Sequence, residues 1–177
     1  INIGGITNVS LLGSGELIGF DTGPGNCLLD AWTKKNRKGD YDNKGRWAKS
    51  GTVDRDLLNI MLKDHYFSLE PPKSTGPDYF NLTWLEDCLM ELNREVDPSD
   101  IQATLVELTA CSLSNSLKKL KIVSEKIYIC GGGVHNKFLM SRISFLLGKK
   151  CYTTAKLGLD PDYIEAICFA WLAYKRV

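Results

Sequence analysis

Apolar and polar positions change period along the chain, and the changes mark its elements. Ile6, Val9, Leu11 and Leu12, then Leu17, Ile18 and Phe20 beyond Gly13-Ser14-Gly15, read as a β-hairpin over residues 1–21. The return strand runs into Asp21-Thr22-Gly23-Pro24-Gly25-Asn26, and a helix starts near Pro24 to Asn26 because Leu28, Leu29 and Trp32 recur at helical spacing. Residues 34–47 are charged and read as a solvated loop, and Asp54 to Leu62 as a short helix. Residues 68–78, with three prolines and a glycine, form an ordered loop or a linker.

The second half alternates strand and helix. Leu82, Leu85, Leu89 and Leu92 make a helical stripe over Asn81 to Leu92, and Asp97-Pro98 caps and opens a helix running to about Leu120. Lys126 to Cys130 is a buried-type strand, Gly131-Gly132-Gly133 breaks it, and Asn136 to Leu147 resumes as helix. Cys151 to Thr154 is a short strand, and Asp160-Pro161-Asp162 leads into a final helix carrying Ile164, Ile167, Cys168 and Trp171. A hairpin followed by strand–helix units is an α/β fold with a mixed sheet.

Composition narrows the class. Of 177 residues, 44% are hydrophobic and 24% charged, which excludes a disordered chain. A net charge of +1 gives no basic field, so nucleic acid is not the default partner. No apolar run is long enough to span a bilayer, and no stretch reads as a signal peptide. The six cysteines form no C-x-x-C pair, so a zinc cluster is not expected; they read as reduced core residues of a cytosolic protein. The chain opens Ile1-Asn2-Ile3 without an initiator Met and inside an apparent strand, so it reads as part of a longer protein.

Three glycine-rich turns adjoin strands: Gly4-Gly5 before Thr7 and Asn8, Gly23-Pro24-Gly25-Asn26, and Gly131-Gly132-Gly133 before His135 and Asn136. Glycine lets backbone N–H groups approach an anion, so a phosphate or nucleotide site is expected, although none matches the P-loop or G-x-G-x-x-G pattern. Asp21, at a strand's carboxyl end, is either a base for an attacking water or hydroxyl or a turn carboxylate. Glu165 either faces inward or lies on the surface of an amphipathic helix. Lys73 either holds an acidic group or is solvated. Trp47 is the best candidate for stacking on a sugar, while Trp32, Trp84 and Trp171 read as core; His135 is placed to meet a ligand and His65 reads as surface.

Taken in series, NIGGITN, GFDTGPGN with CLLDAW, PPKSTGPDYFN, QATLVELTA, CGGGVHN and LGLDPDYIEAICFAWLA resemble the C-terminal part of the anhydro-N-acetylmuramic acid kinase family. The resemblance implies an RNase H-like domain of the sugar kinase/Hsp70/actin-like ATPase fold, spanning 1–177, with the N-terminal half of the enzyme and its G-T-S-x-D-G phosphate loop absent. It implies a cytoplasmic enzyme using ATP and Mg²⁺ to convert 1,6-anhydro-N-acetylmuramic acid and water into N-acetylmuramic acid 6-phosphate, in cell-wall sugar recycling. Alone, such a half is expected to be inactive. Asp21 then matches the catalytic aspartate and Glu165 a second carboxylate at the sugar. Gly4, Gly5, Thr7 and Asn8 match a phosphate loop, and Gly131, Gly132, Gly133 and Asn136 the adenosine-side turn. The chain departs from the family at Pro77, where Arg is common. A homodimer is also implied, with helices over 81–120 as its surface. The competing readings are another sugar kinase of the same fold, a non-catalytic nucleotide-binding module, and a glycosidase pairing Asp21 with Glu165.

Overall fold

A computed structural model describes residues 1–12, 17–37, 39–120 and 126–176. The Gly13-Ser14-Gly15 turn lies outside the described residues. Its two flanking strands, β2 (Ile6–Leu11) and β3 (Ile18–Pro24), pair antiparallel, with Asn8 opposite Asp21 and Val9 opposite Phe20. The return strand thus continues past Asp21 to Pro24, and the register shifts between Thr7 and Asn8. A short strand β1 (Asn2–Ile3) pairs antiparallel with β2, with Asn2 opposite Asn8. Further on, β4 (Ile127–Ile129) and β5 (Cys151–Thr153) pair parallel. A parallel bridge between Asn2 and Cys130 joins the two sheets: Ile3 N donates to Cys130 O at 2.8 Å and Cys130 N to Ile1 O at 2.8 Å.

Strand alternation sorts the residues into two faces. Ile3, Thr7, Val9, Phe20 and Thr22 are buried. Asn2, Ile6, Asn8, Gly19 and Asp21 point the other way and remain at least partly exposed. The helices are α1 (Cys27–Asn36), α2 (Arg46–Ser50), α3 (Arg55–Leu62), α4 (His65–Ser68), α5 (Leu82–Leu92), α6 (Pro98–Lys119), α7 (Lys137–Leu147) and α8 (Ile164–Arg176). Short acidic or amide caps start several of them: Asp54 accepts from Asp56 N and Leu57 N, Asn81 from Trp84 N, and Asp97 from Ser99 N. Each cap satisfies orphan amides and is worth about 1 kcal/mol.

The long helix α6 organises the core. Gln102 Nε2 donates to Leu29 O at 3.3 Å and to Thr33 Oγ1 at 3.2 Å, binding α6 to α1. Thr109 Oγ1 donates to Gly25 O at 3.3 Å, tying α6 to the glycine turn that leads into α1. Glu107, 2% exposed, is held by a two-pronged pair from Arg142 on α7, at 2.7 and 2.8 Å. That Arg142 pairing satisfies both carboxylate oxygens, which a buried charge requires.

Three expectations are corrected. Residues 34–47 are not simply a loop: α1 extends to Asn36, a 3₁₀ turn spans Asn43–Gly45, and α2 begins at Arg46. Lys73 is buried rather than solvated, since the proline-rich loop folds back over α4 and its ammonium donates to Tyr66 O at 2.9 Å. Trp171, read as core, is 57% exposed, because α8 carries no buried residue at all; its apolar periodicity shows that the helix needs cover, and none of the described elements supplies it.

Candidate active site

The strand register brings three polar side chains into one row. Asn2, Asn8 and Asp21 are directly opposed across β1, β2 and β3 and share the open face of the sheet. Adjacent strands lie about 4.8 Å apart, so the row spans roughly 10 Å. Glu165, in the first turn of α8, closes one end: its Oε1 accepts from Asn2 Nδ2 at 2.8 Å. At the other end Asp21 Oδ2 accepts from Thr75 N at 3.0 Å. The two carboxylates singled out in the sequence therefore stand at opposite ends of a common polar row, with two asparagine amides between them.

Asp21 is held by backbone on two sides. Its N–H donates to Lys73 O at 3.0 Å and its carbonyl accepts from Tyr66 Oη at 2.8 Å. The loop Lys73–Thr75 thus lies along β3, leaving the second carboxylate oxygen of a half-buried Asp21 without a protein donor among the described residues. Tyr66 is pushed to a pKa above the ordinary phenol range by burial first and by the Asp21 charge second. Lys73 lies 4.4 Å over the Tyr66 ring, and its pKa is lowered by burial first and by Lys119 second. It lines a cavity of about 370 Å³ with Asp64, Phe67, Ser112 and Lys119, to which Asp21 does not contribute.

The glycine turns are locked against one another. Gly25 N and Cys27 N donate to Gly5 O at 2.8 and 3.0 Å, and Asn26 N donates to Gly4 O at 2.8 Å. The Gly25, Asn26 and Cys27 amides are thereby taken up by protein carbonyls and do not face an anion. Gly133 is buried against Ile3, where any Cβ would collide with the Ile3 side chain. Gly131 adopts φ +82° and its N–H donates to Pro161 O at 2.9 Å. Close backbone approach thus accounts for several of these glycines. Gly5 and Gly132 remain exposed at the rim.

Other expected positions fall unevenly. Thr7 is fully buried, and its Oγ1 has no hydrogen-bond partner among the described residues. Asn136 caps α7, its Oδ1 accepting from Leu139 N at 3.0 Å, and is 9% exposed. Gly132, Asn136 and His135 nevertheless line a cavity of about 570 Å³ whose opposite wall is Asn26, Asp30 and Tyr41. That lining includes Tyr41, from the 34–47 segment read as a solvated loop. Asp30 is pushed up to about 6, by burial first and by Asp40 second. His135 Nε2 sits 2.9 Å from the Asp162 carboxylate. Trp47 is partly buried with Arg37 over its ring at 5.4 Å, and His65 is exposed as expected.

Asn2 is the member of the polar row that sequence reading passed over. The available signal was its parity with Asn8: both flank the Gly4-Gly5 turn, so a hairpin there opposes them. Among the described residues no three His, Cys, Asp or Glu side chains are grouped to hold a metal ion, and no helix is long and apolar enough to cross a membrane.

Comparison with known proteins adds a family. The model of a family described as anhydro-N-acetylmuramic acid kinase matches residues 1–177. A protein of that name from Pasteurella multocida is 49% identical over 180 residues, covering 100% of this chain and 48% of the relative. One from Pseudomonas savastanoi pv. phaseolicola is 47% identical over 176 residues, covering 98% and 48%. One from Coxiella burnetii is 49% identical over 178 residues, covering 98% and 47%. The chain therefore spans about half the length of the curated relatives it matches. Among solved structures, an activator of the 2-hydroxyisocaproyl-CoA dehydratase from Clostridium difficile, with bound ADPNP, aligns at 17% identity and a TM-score of 0.45, over 99% of this chain and 62% of that one.

Proposed function

The chain belongs to the anhydro-N-acetylmuramic acid kinase family, and from that premise we propose that it supplies one half of an ATP-dependent, hydrolytic sugar kinase, with Asp21 as its base. The observation that carries the proposal is the row Glu165, Asn2, Asn8, Asp21 on the open face of the sheet. A carboxylate at one end has an oxygen turned away from its Thr75 contact, and amides beside it suit sugar hydroxyls and an acetamido group.

In the reaction, Asp21 takes a proton from water as the water oxygen bonds to the anomeric carbon of 1,6-anhydro-N-acetylmuramic acid. The bond from that carbon to the six-position oxygen breaks, and the freed oxygen attacks the γ-phosphorus of ATP, releasing ADP. Glu165, fixed by Asn2, holds the water or the ring. The nucleotide occupies the cavity between Gly132 and Asp30. Mg²⁺ is carried largely by the phosphates and water. What supports the finer fold reading, an RNase H-like half of the actin-like ATPase fold, is the mixed sheet flanked by helices, antiparallel in β1–β3 and parallel from β1 through β4 to β5.

The test is product analysis with the full-length protein, the anhydro sugar, ATP and Mg²⁺. The expected product is the ring-opened 6-phosphate, heavier by one water than a simply phosphorylated anhydro sugar, formed one-for-one with ADP. A phosphorylated sugar that keeps its anhydro bridge points to an ordinary hydroxyl-acceptor kinase, and ATP binding without sugar turnover to a nucleotide-binding module.

A further inference from the structure

We propose that α8 is the seat on which the remainder of the full-length kinase packs, and that this packing fixes Glu165 at the open face of the sheet. The inference rests on reading the chain as one half of that enzyme. Ten of the thirteen α8 residues are apolar, and none is buried. Phe169 is 71% exposed, Trp171 57%, Leu172 49% and Tyr174 75%. These residues do not form a single stripe: Phe169 and Trp171, two positions apart, project from nearly opposite sides of the helix. A helix apolar all round belongs in the interior of a larger body.

The geometry selects the occupant. A second copy of this chain, meeting α8 along a symmetric contact, would cover one side and leave Phe169 or Trp171 in water. Covering both sides takes a groove. The chain spans only 48% of a relative's length, so roughly as many residues again are available to build one. The root of α8 is already anchored. Gly131 N donates to Pro161 O at 2.9 Å, Asp162 pairs with His135 at 2.9 Å, and Glu165 accepts from Asn2 at 2.8 Å. The first turn is thus tied to the polar row while the rest of the helix stands clear. Whatever grips the outer turns sets the angle of the first, and with it the position of Glu165.

Hydrogen exchange read by mass spectrometry tests this, comparing the full-length protein with the 177-residue chain, both without nucleotide or sugar. The expected result is α8 amides exchanging at least ~100-fold more slowly in the full-length protein, to the same extent at every protein concentration tested. Phe169→Ser in the full-length protein should reverse much of that protection; if this variant fails to fold, the milder Leu172→Ala should reverse part of it. Equal exchange in the two proteins overturns the proposal. So does protection in the 177-residue chain that grows with its own concentration, which assigns α8 to a second copy. Because exchange is read without substrates, a protected α8 in a protein lacking kinase turnover refutes the function and leaves the docking intact; fast exchange with normal turnover refutes the docking alone.

Discussion

Replacing Gly25 with alanine probes whether the glycine turns exist for backbone packing. A Cβ built on Gly25 would lie 2.5 Å from Gly4 O, 3.0 Å from Thr7 Oγ1 and 3.2 Å from Gly5 O. Two of these are backbone carbonyls, and both are pinned: Gly5 O receives Gly25 N and Cys27 N, and Gly4 O receives Asn26 N. No rotamer change relieves the clash, so the turn must separate and weaken three hydrogen bonds. At about 1 kcal/mol net each, the loss is about 3 kcal/mol. For a domain of this size about 1 kcal/mol shifts Tm by roughly 3 °C, so the midpoint should fall by about 9 °C. The assay is thermal unfolding of the chain followed by circular dichroism. Gly148→Ala is the control, since Gly148 has φ +62° but nothing within 4 Å of a built Cβ; its cost is backbone strain alone, about 1 kcal/mol and roughly 3 °C. A Gly25→Ala midpoint no lower than that of Gly148→Ala would refute the claim that these turns are locked together.

Other outcomes follow from single groups. The Asp30 carboxyl titrates at about 6, above an unfolded value of about 3.9, so the native state binds the extra proton between them and stability falls as pH rises through that window. Asp30→Asn should therefore stabilise the chain at about pH 7.5, by on the order of 1 kcal/mol after discounting for a half-exposed group, with the gain shrinking toward zero near pH 4 in paired thermal melts. Arg142→Met strands the buried Glu107 and should cost about 3–5 kcal/mol in urea unfolding, whereas pairing it with Glu107→Met should recover most of that. Glu165→Gln should leave urea stability within about 0.5 kcal/mol, because the side chain is exposed with one bond to Asn2, yet lower turnover in the full-length enzyme. Unchanged turnover would remove Glu165 from the site.

Local rules carried much of the fold. Asp97 was legible as a cap, and the stretches from Asp54 and Asn81 as helices, because these signals depend on residues a few places away; all three side chains cap their helices. The hairpin was legible for the same reason. What escaped depends on distant partners. The row of Asn2, Asn8 and Asp21 follows from a register set by the irregularity at Thr7 and Asn8, which no alternation pattern specifies. Lys73 looked solvated because its loop is polar, but the loop folds onto Tyr66. Asp30 and Tyr41 meet Gly132 only through tertiary packing. In α8 the pattern read correctly as a helix, and failed on Trp171 because periodicity does not say what covers it.

The most direct test of the account is Asp21→Asn in the full-length enzyme. Asparagine is isosteric and keeps an oxygen for the 3.0 Å bond from Thr75 N, so only the basicity is removed. Calorimetry should find ATP and sugar binding close to wild type, while turnover falls roughly a thousandfold, as loss of a general base does. Turnover within about tenfold of wild type, with binding intact, would contradict a base at this position.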